Sequence, residues 1–443
     1  MQFNSIEFLF YFLPLFLAVY LVVPAKFRSC IMLVGSLGYY AFASGGNFWW
    51  VAILAGITVL TYLAGFTLGK PGRGKLLGLY LGILAAVLTF FKLYNGGRHL
   101  PAGMSFYLFQ IAAYLIDLQR LKYRHEKNPL EYASQTAMFP KLLSGPLMDP
   151  RKLQLESKFA TVDKTHLREG MQYLVLGLGL KVVIANRLGG LWTEAGVVGY
   201  EFLSVPLAWI SLVAYAMQLY FDFYGYSTMA IGLGKMMGYD LPRNFDSPYA
   251  SRSVSEFYRR WHITLGAWFR EYLYIPLGGN RKGTWMTIFN LLVVWLFTGL
   301  WHGVGGNYIL WAGFLFLLIV NERLWLGKFL KMSKVFSHVY LVFVILLSWI
   351  PFAIGDWGQM VSFLGRLFNL TGMAINPQDY MTSAVGYEGL MVAGVVLATP
   401  WPRKVWEKVR VHWAADIFIL ALFWVVIYYI ATAAQDPFMY FQY

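Results

Sequence analysis

Long apolar runs recur from one end of this chain to the other, and they restrict its fold more than any other feature. A helix that crosses a bilayer needs about 20 predominantly apolar residues, and hydrophobic residues make up 58% of the 443. The sequence therefore predicts an all-α polytopic membrane protein with about 11–12 transmembrane or re-entrant helices. The runs lie near residues 8–23, 31–43, 48–68, 76–93, 104–121, 170–187, 204–233, 286–301, 306–320, 337–354, 386–399 and 413–434.

Two polar stretches interrupt this pattern, at residues 122–169 and 235–284. Neither is a low-complexity linker, and we find no repeat that would indicate a solenoid. We therefore expect residues 1–443 to form a single integral-membrane domain. In it, residues 1–121 carry the N-terminal spans and residues 286–434 the C-terminal spans, while the two polar stretches form helical segments on the cytosolic side or at the interface.

The net charge of +14 predicts the orientation of the chain rather than a nucleic-acid partner. If the chain starts outside and crosses at each run, 31 of its 36 Lys and Arg residues fall in cytosolic loops, and the opposite side holds only Arg98, Arg187 and Arg366. Such an excess of positive charge is typical of the cytosolic side of membrane proteins. Both termini are therefore predicted to be extracytoplasmic.

Within the second polar stretch, residues 253–274 have the periodicity of an amphipathic helix. Its apolar side carries aromatic residues and its other side carries arginines, with His262 at the border between the two. A basic amphipathic helix often lies on the membrane surface, and that alternative would explain the aromatic stripe without any catalytic role. The apolar side consists of Phe257, Trp261, Leu265, Trp268 and Tyr272.

Two Trp-His pairs are the strongest chemical signals in the sequence. Trp261-His262 lies in the most polar stretch, and Trp301-His302 ends an apolar run at a glycine-rich bend that reaches Asn307. An ionisable residue within a membrane is costly and points to function, and a neutral imidazole can take a proton from a hydroxyl that attacks an acyl carbon. The alternative is that His302 only hydrogen-bonds a carbonyl at a hairpin turn.

Other catalytic systems are absent from the sequence. It contains no nucleophile elbow, no zinc-protease motif and no phosphate-binding loop. Its seven His residues show no i, i+4 pair for a metal ion, and the single Cys30 excludes an internal disulfide. Asp222, an acid among aromatic residues inside an apolar run, should be paired with an Arg or a Tyr hydroxyl, and we expect it to support a polar site.

Several stretches of the sequence together resemble one known family. They are Ser247-Pro-Tyr249, Glu256-Phe-Tyr-Arg-Arg-Trp-His262, Trp268-Phe-Arg270-Glu-Tyr-Leu-Tyr-Ile-Pro-Leu-Gly-Gly-Asn280-Arg281, Gly299-Leu-Trp-His302-Gly303, Phe139-Pro-Lys141-Leu-Leu-Ser-Gly145-Pro146, Gln218-Leu-Tyr-Phe-Asp222 and Pro437-Phe-Met-Tyr-Phe-Gln-Tyr443. The chain thereby resembles the membrane-bound O-acyltransferase superfamily, and within it the alginate O-acetyltransferase branch of bacterial polysaccharide acetylators. The stretch after His302 is richer in glycine than the family pattern.

The resemblance implies a role for each candidate residue. His302 corresponds to the catalytic histidine of the superfamily and His262 to its second motif histidine, while Trp301, Asp222 and Asn307 are expected to support the site. It also implies a ring-like helical body whose central tunnel is open to both faces. No bound cofactor and no metal ion are expected, because the acyl donor, acetyl-CoA, would act as a co-substrate.

The reaction implied by the resemblance is transfer of an acetyl group from the cytosol towards hydroxyls of an exported cell-surface polysaccharide, in a bacterial plasma membrane. An extracytoplasmic acetyltransferase or the polysaccharide export machinery would be the partner. Transfer of D-alanine from a carrier protein to teichoic acid is an alternative. A transporter or channel is a remote one, because such folds often carry repeated halves, and the two polar stretches do not resemble each other.

Overall fold

The computed structural model describes residues 1–94, 100–159, 161–370 and 376–432, and all regular secondary structure in these ranges is helical. The sequence motif at 437–443 lies outside the described residues. Every predicted apolar run falls on a helix, and seven helices in the described ranges are long and apolar enough to cross a membrane. The prediction of a polytopic all-α membrane protein is therefore confirmed.

The N-terminal helices surround one that is almost completely buried. Met104–Gln119 leaves few side chains exposed, whereas Gly74–Leu93 buries only Leu84 and presents most of its surface outwards. The outer helices therefore separate the inner one from lipid. Following a π-helical segment at Glu7–Phe12, the helices are α1 (Leu13–Val22), α2 (Arg28–Ala43), α3 (Phe48–Leu68), α4 (Gly74–Leu93) and α5 (Met104–Gln119).

The middle of the first polar stretch, residues 132–148, is largely buried inside the protein, while residues near its two ends are exposed. The whole of Phe139–Leu142 is buried, including the aliphatic stem of Lys141. A π-helical segment, Gly179–Ala185, joins two later helices into one span of 35 residues, Lys164–Val198. The helices of this middle region are α6 (Pro129–Ala137), α7 (Phe139–Leu142), α8 (Pro150–Phe159), α9 (Lys164–Leu178), α10 (Asn186–Val198) and α11 (Val205–Met236).

The centre of the protein is a close crossing of α9 and α11. A Cβ atom added at Gly177 would lie 2.6 Å from the carbonyl oxygen of Gly225, and one added at Gly225 would lie 2.7 Å from that of Gly177. Small residues at such positions let two membrane helices approach backbone to backbone. The close crossing brings α11 directly against the π-helical segment that follows α9.

The C-terminal half contains the two Trp-His pairs. The prediction of one continuous helix over residues 253–274 is wrong, because the chain breaks at His262 between two short helices. Gly303–Gly305 joins two apolar helices into a hairpin, as expected for a glycine-rich bend. The helices are α12 (Val254–Arg260), α13 (Ile263–Phe269), α14 (Thr284–His302), α15 (Gly306–Asn321), α16 (Gly327–Met332), α17 (Lys334–Ala353), α18 (Trp357–Leu367), α19 (Tyr380–Ser383), α20 (Glu388–Ala398), α21 (Trp401–Val409) and α22 (Trp413–Thr432).

Candidate active site

His262 occupies a strained backbone position at the break between α12 and α13. Its φ of 45° and ψ of 55° lie in the left-handed region, which is uncommon for any residue with a side chain. Two backbone hydrogen bonds fix this turn, from Ile263 N to the Asn244 carbonyl at 2.9 Å and from Gly266 N to the His262 carbonyl at 3.0 Å. Strain of this kind persists where the surroundings hold it, often at functional sites.

The amide of Asn244 sets the tautomer of His262. Asn244 Oδ1 lies 3.3 Å from His262 Nδ1 and also accepts hydrogen bonds from the backbone N–H and the hydroxyl of Thr264. An amide oxygen can only accept, so Nδ1 carries the proton in this arrangement. Nε2 then keeps its lone pair, and it is buried with no hydrogen-bond partner among the described residues.

Aromatic rings surround His262 and keep water away. The rings of Phe106, Phe223 and Trp301 have centroids 6.2, 4.7 and 6.3 Å from that of the imidazole. Burial in this environment disfavours the charged form and lowers the pKa of His262 to about 3. The ring is therefore neutral at physiological pH. The alternative of a helix on the membrane surface is also excluded, because Phe257, Trp261 and Leu265 are buried inside the protein.

His302 is the last residue of α14, directly before the glycine-rich bend. The amide of Gly303 donates to the carbonyl of Gly299 and closes the last turn of the helix. The imidazole packs edge-on against Trp311 and Phe352, with ring centroids 5.0 and 5.1 Å away. It is 8% exposed, so it sits in the protein interior at a helix end, as the sequence predicted.

One cavity of about 260 Å³ brings the two histidines together. Trp301 contacts both rings, with its centroid 6.3 Å from His262 and 4.6 Å from His302. Tyr258 and Arg270 also line this cavity, and the Arg270 side chain is exposed, so the cavity reaches the surface there. The arrangement combines two imidazoles, aromatic walls and a route for a substrate, which is what acyl transfer to a hydroxyl requires.

The other residues expected to support the site lie further out. Asn307 donates from Nδ2 to the Pro351 carbonyl at 3.0 Å and so ties α15 to α17 behind His302. Asp222 does form an ion pair, and its partner is Lys181, whose Nζ lies 2.7 Å away; both side chains are buried. Neither Asn307 nor Asp222 is among the described residues that line the cavity.

A larger cavity of about 1100 Å³ lies against the N-terminal segment, Arg187 and Tyr429. No histidine is among the described residues that line it. Size alone would favour this cavity, but the chemistry favours the smaller one, because two imidazoles that can accept a proton line it.

The sequence analysis did not identify two polar residues near the histidines as parts of the site. Asn244 holds His262, and Lys92 donates a hydrogen bond from α4 to the backbone carbonyl of Trp301. Lys92 did carry a signal, because a lysine within an apolar run is rare. Asn244 carried none, since an asparagine in a polar stretch is usual.

Comparison with known proteins agrees with this geometry. The sequence profile of the membrane-bound O-acyltransferase family matches residues 123–350, a segment that contains both histidines and Asn244. The probable alginate O-acetylase AlgI of Pseudomonas putida is 34% identical over the full length of both chains. The chain belongs to the membrane-bound O-acyltransferase family. It is an O-acyltransferase, and its polytopic helical fold is that of a membrane-embedded enzyme.

Two further members of this family differ in the acceptor or acyl group that their names give. The peptidoglycan O-acetyltransferase of Helicobacter pylori is 30% identical, with 84% of this chain and 81% of that protein covered. The teichoic acid D-alanyltransferase of Lacticaseibacillus rhamnosus is 27% identical, with 53% and 62% covered. Similarity is therefore greater, and covers more of the chain, for the O-acetylating members.

Proposed function

We propose that this O-acyltransferase takes an acetyl group from a cytosolic thioester donor and passes it across a bacterial plasma membrane towards hydroxyls of an exported polysaccharide. The donor would be acetyl-CoA, and both termini would face the extracytoplasmic side. The observation that supports this best is the single cavity shared by His262 and His302. The names of the relatives that match most of the chain, alginate O-acetylase and peptidoglycan O-acetyltransferase, support the polysaccharide acceptor.

His302 acts as general base in this mechanism. Its imidazole removes the proton from an acceptor hydroxyl while the hydroxyl oxygen attacks the thioester carbonyl carbon. The carbon–sulfur bond then breaks, the acyl carbon keeps its new bond to oxygen, and the departing thiolate takes up the proton that His302 removed. The acceptor in this step is either a glycan hydroxyl or a hydroxyl of a carrier that completes the transfer outside the membrane.

His262 has the supporting role. With Nδ1 donating to Asn244, Nε2 keeps a lone pair that can accept a hydrogen bond from the acceptor hydroxyl. Such a contact would orient the hydroxyl towards His302. Proximity and orientation of this kind lower the barrier without a second proton transfer.

The donor would enter beside Arg270. Its exposed side chain lines the cavity, and the distribution of Lys and Arg assigns this stretch to the cytosol. A cationic rim suits a donor that carries phosphate groups. The acceptor would then approach from the opposite face, along the tunnel that the family resemblance implies.

The decisive experiment uses sealed membrane vesicles of known orientation that contain the protein, its candidate extracytoplasmic acetyltransferase and the glycan. Radiolabelled acetyl-CoA is supplied to one side only, and label in the glycan that mild alkali releases is counted. We expect labelling only when the donor reaches the cytosolic face. Labelling from the outer face, or none with active partner present, would contradict the proposal.

D-alanyl transfer is the second candidate, supported by the match to the Lacticaseibacillus rhamnosus protein over 53% of this chain. The same vesicles can test it with a D-alanyl carrier protein in place of acetyl-CoA and lipoteichoic acid as the acceptor. Transfer of D-alanine at a rate equal to or above that of acetate would replace the first proposal with the second.

A further inference from the structure

Lys92 links the outer helix α4 to the end of the helix that carries His302. It is the second-last residue of α4, a helix that otherwise faces outwards and fully buries only Leu84. Its ammonium group donates to the backbone carbonyl of Trp301, and the same group lies 5.9 Å from the centroid of the Trp301 ring. A residue 209 positions away in the sequence thus contacts the residue next to His302.

The carbonyl that Lys92 contacts belongs to the last turn of α14. The final carbonyls of a helix have no partner within the helix, and they form the negative end of its dipole. Here the chain turns at once into the glycine-rich bend, and Gly303 extends away with φ 177°. Trp301 is only 3% exposed, so water has little access to its carbonyl. The ammonium group of Lys92 both satisfies this carbonyl and complements the dipole.

A glycine-rich bend would otherwise leave this helix end free to move. Gly303, Gly305 and Gly306 follow His302 within four positions, and glycine restricts the backbone less than any other residue. The Trp311 and Phe352 rings limit the imidazole on one side. Lys92 holds the backbone one residue earlier, at the carbonyl of Trp301.

We propose that Lys92 is a positioning residue for acyl transfer, which fixes the Trp301–His302 turn so that the imidazole of His302 faces the acceptor hydroxyl. This proposal rests on the proposed function, because it needs His302 to act in the reaction. A charged residue in an outer span is unfavourable in free energy. The contact with Trp301 gives a functional reason for a lysine at this position. Lys92 itself touches neither donor nor acceptor in this scheme.

The test compares Lys92→Met, Lys92→Arg and the control Lys75→Met in the vesicle assay. Methionine keeps the length of the side chain but cannot donate a hydrogen bond, while Lys75 is an exposed residue at the opposite end of the same helix. Because a displacement of about 1 Å can cost on the order of 100-fold in rate, we expect Lys92→Met to lower kcat about 10- to 100-fold. KM for acetyl-CoA should change less than about twofold, since the donor-binding side of the cavity is untouched.

Arginine at position 92 should recover most of the lost kcat, because it restores a cationic donor, and Lys75→Met should match the parent. Rates are normalised to folded protein, measured as the monodisperse peak in size-exclusion chromatography. The proposal is overturned if Lys92→Met keeps parental kcat, or if its loss merely follows the loss of folded protein. A parent enzyme that transfers no acetyl group would instead refute the proposed function, so the two failures are distinguishable.

Discussion

Asn244 Oδ1 lies 3.3 Å from His262 Nδ1, and this contact decides which imidazole nitrogen keeps its lone pair. The same oxygen accepts from the hydroxyl and the backbone N–H of Thr264. One amide thus fixes both the left-handed turn at His262 and the protonation of its ring. Such orienting contacts commonly matter to a site nearly as much as the groups they orient.

Replacing Asn244 with Leu is therefore expected to impair both activity and stability. The change leaves the Thr264 donors and the His262 N–H without their acceptor, at a cost of about 1–3 kcal/mol in the free energy of unfolding. We expect kcat to fall at least about tenfold in the vesicle assay, since the wrong tautomer of His262 becomes accessible. The measurements are initial rates per folded protein and unfolding curves in mixed micelles.

Asn321→Leu is the matched control for this substitution. Among the described residues, Asn321 hydrogen-bonds within its own region, to the Leu317 carbonyl and the Trp325 indole. It should leave kcat at the parental value. If both Asn244→Leu and Asn321→Leu retain full activity, Asn244 has no part in orienting His262.

The loss of His302 should be the most severe single change. A general base contributes on the order of 10²- to 10⁴-fold, so His302→Ala is expected to lower acetyl transfer by about that factor while the protein still inserts and folds. Ester-linked acetate on the surface polysaccharide is measured in cells with equal membrane levels of variant and parent. His412→Ala, which removes an exposed histidine at the edge of a span, should acetylate normally. Undiminished ester content in His302→Ala would rule out the base role.

His262→Ala should lower activity severely but incompletely. If His262 orients the hydroxyl rather than taking its proton, its removal leaves the base in place. We expect a residual rate above that of His302→Ala under identical conditions, and a double variant no slower than His302→Ala alone. Parental turnover in His262→Ala would reduce this residue to a packing role, and a rate equal to that of His302→Ala would make the two histidines equal partners.

The sequence predicted the helices and both histidines because both are local signals. The length of an apolar run predicts a helix, and an ionisable residue in or beside such a run is rare. The structure places both imidazoles on one cavity. The break at His262 was missed since α12 and α13 bury the same side of the chain. Phe257 and Leu265 both face inwards, so the apolar period continues through a turn that depends on the distant Asn244.

The sequence also did not predict which polar residues pair across long distances along the chain. Asp222 clearly needed a partner, but Lys181 becomes that partner only because Gly177 and Gly225 let α9 and α11 meet backbone to backbone. Lys92 and Trp301 likewise meet across 209 positions of sequence. The residue type alone indicates that a charged side chain within the membrane needs a partner. Which residue becomes that partner depends on how the helices pack.

The Lys181–Asp222 pair gives a last prediction, which separates support of the site from support of the fold. Both side chains are buried and their charged atoms are 2.7 Å apart. Removing one partner leaves an uncompensated charge, so Lys181→Met or Asp222→Leu should each lower the free energy of unfolding by about 3–5 kcal/mol. The double variant leaves no unpaired charge and should be more stable than either single one.

Unfolding curves in mixed micelles and acetyl transfer per folded protein are measured together for all three. If Asp222 only joins α9 to α11, the double variant regains kcat as it regains stability. A stable double variant with low kcat would instead show that Asp222 acts on the site itself.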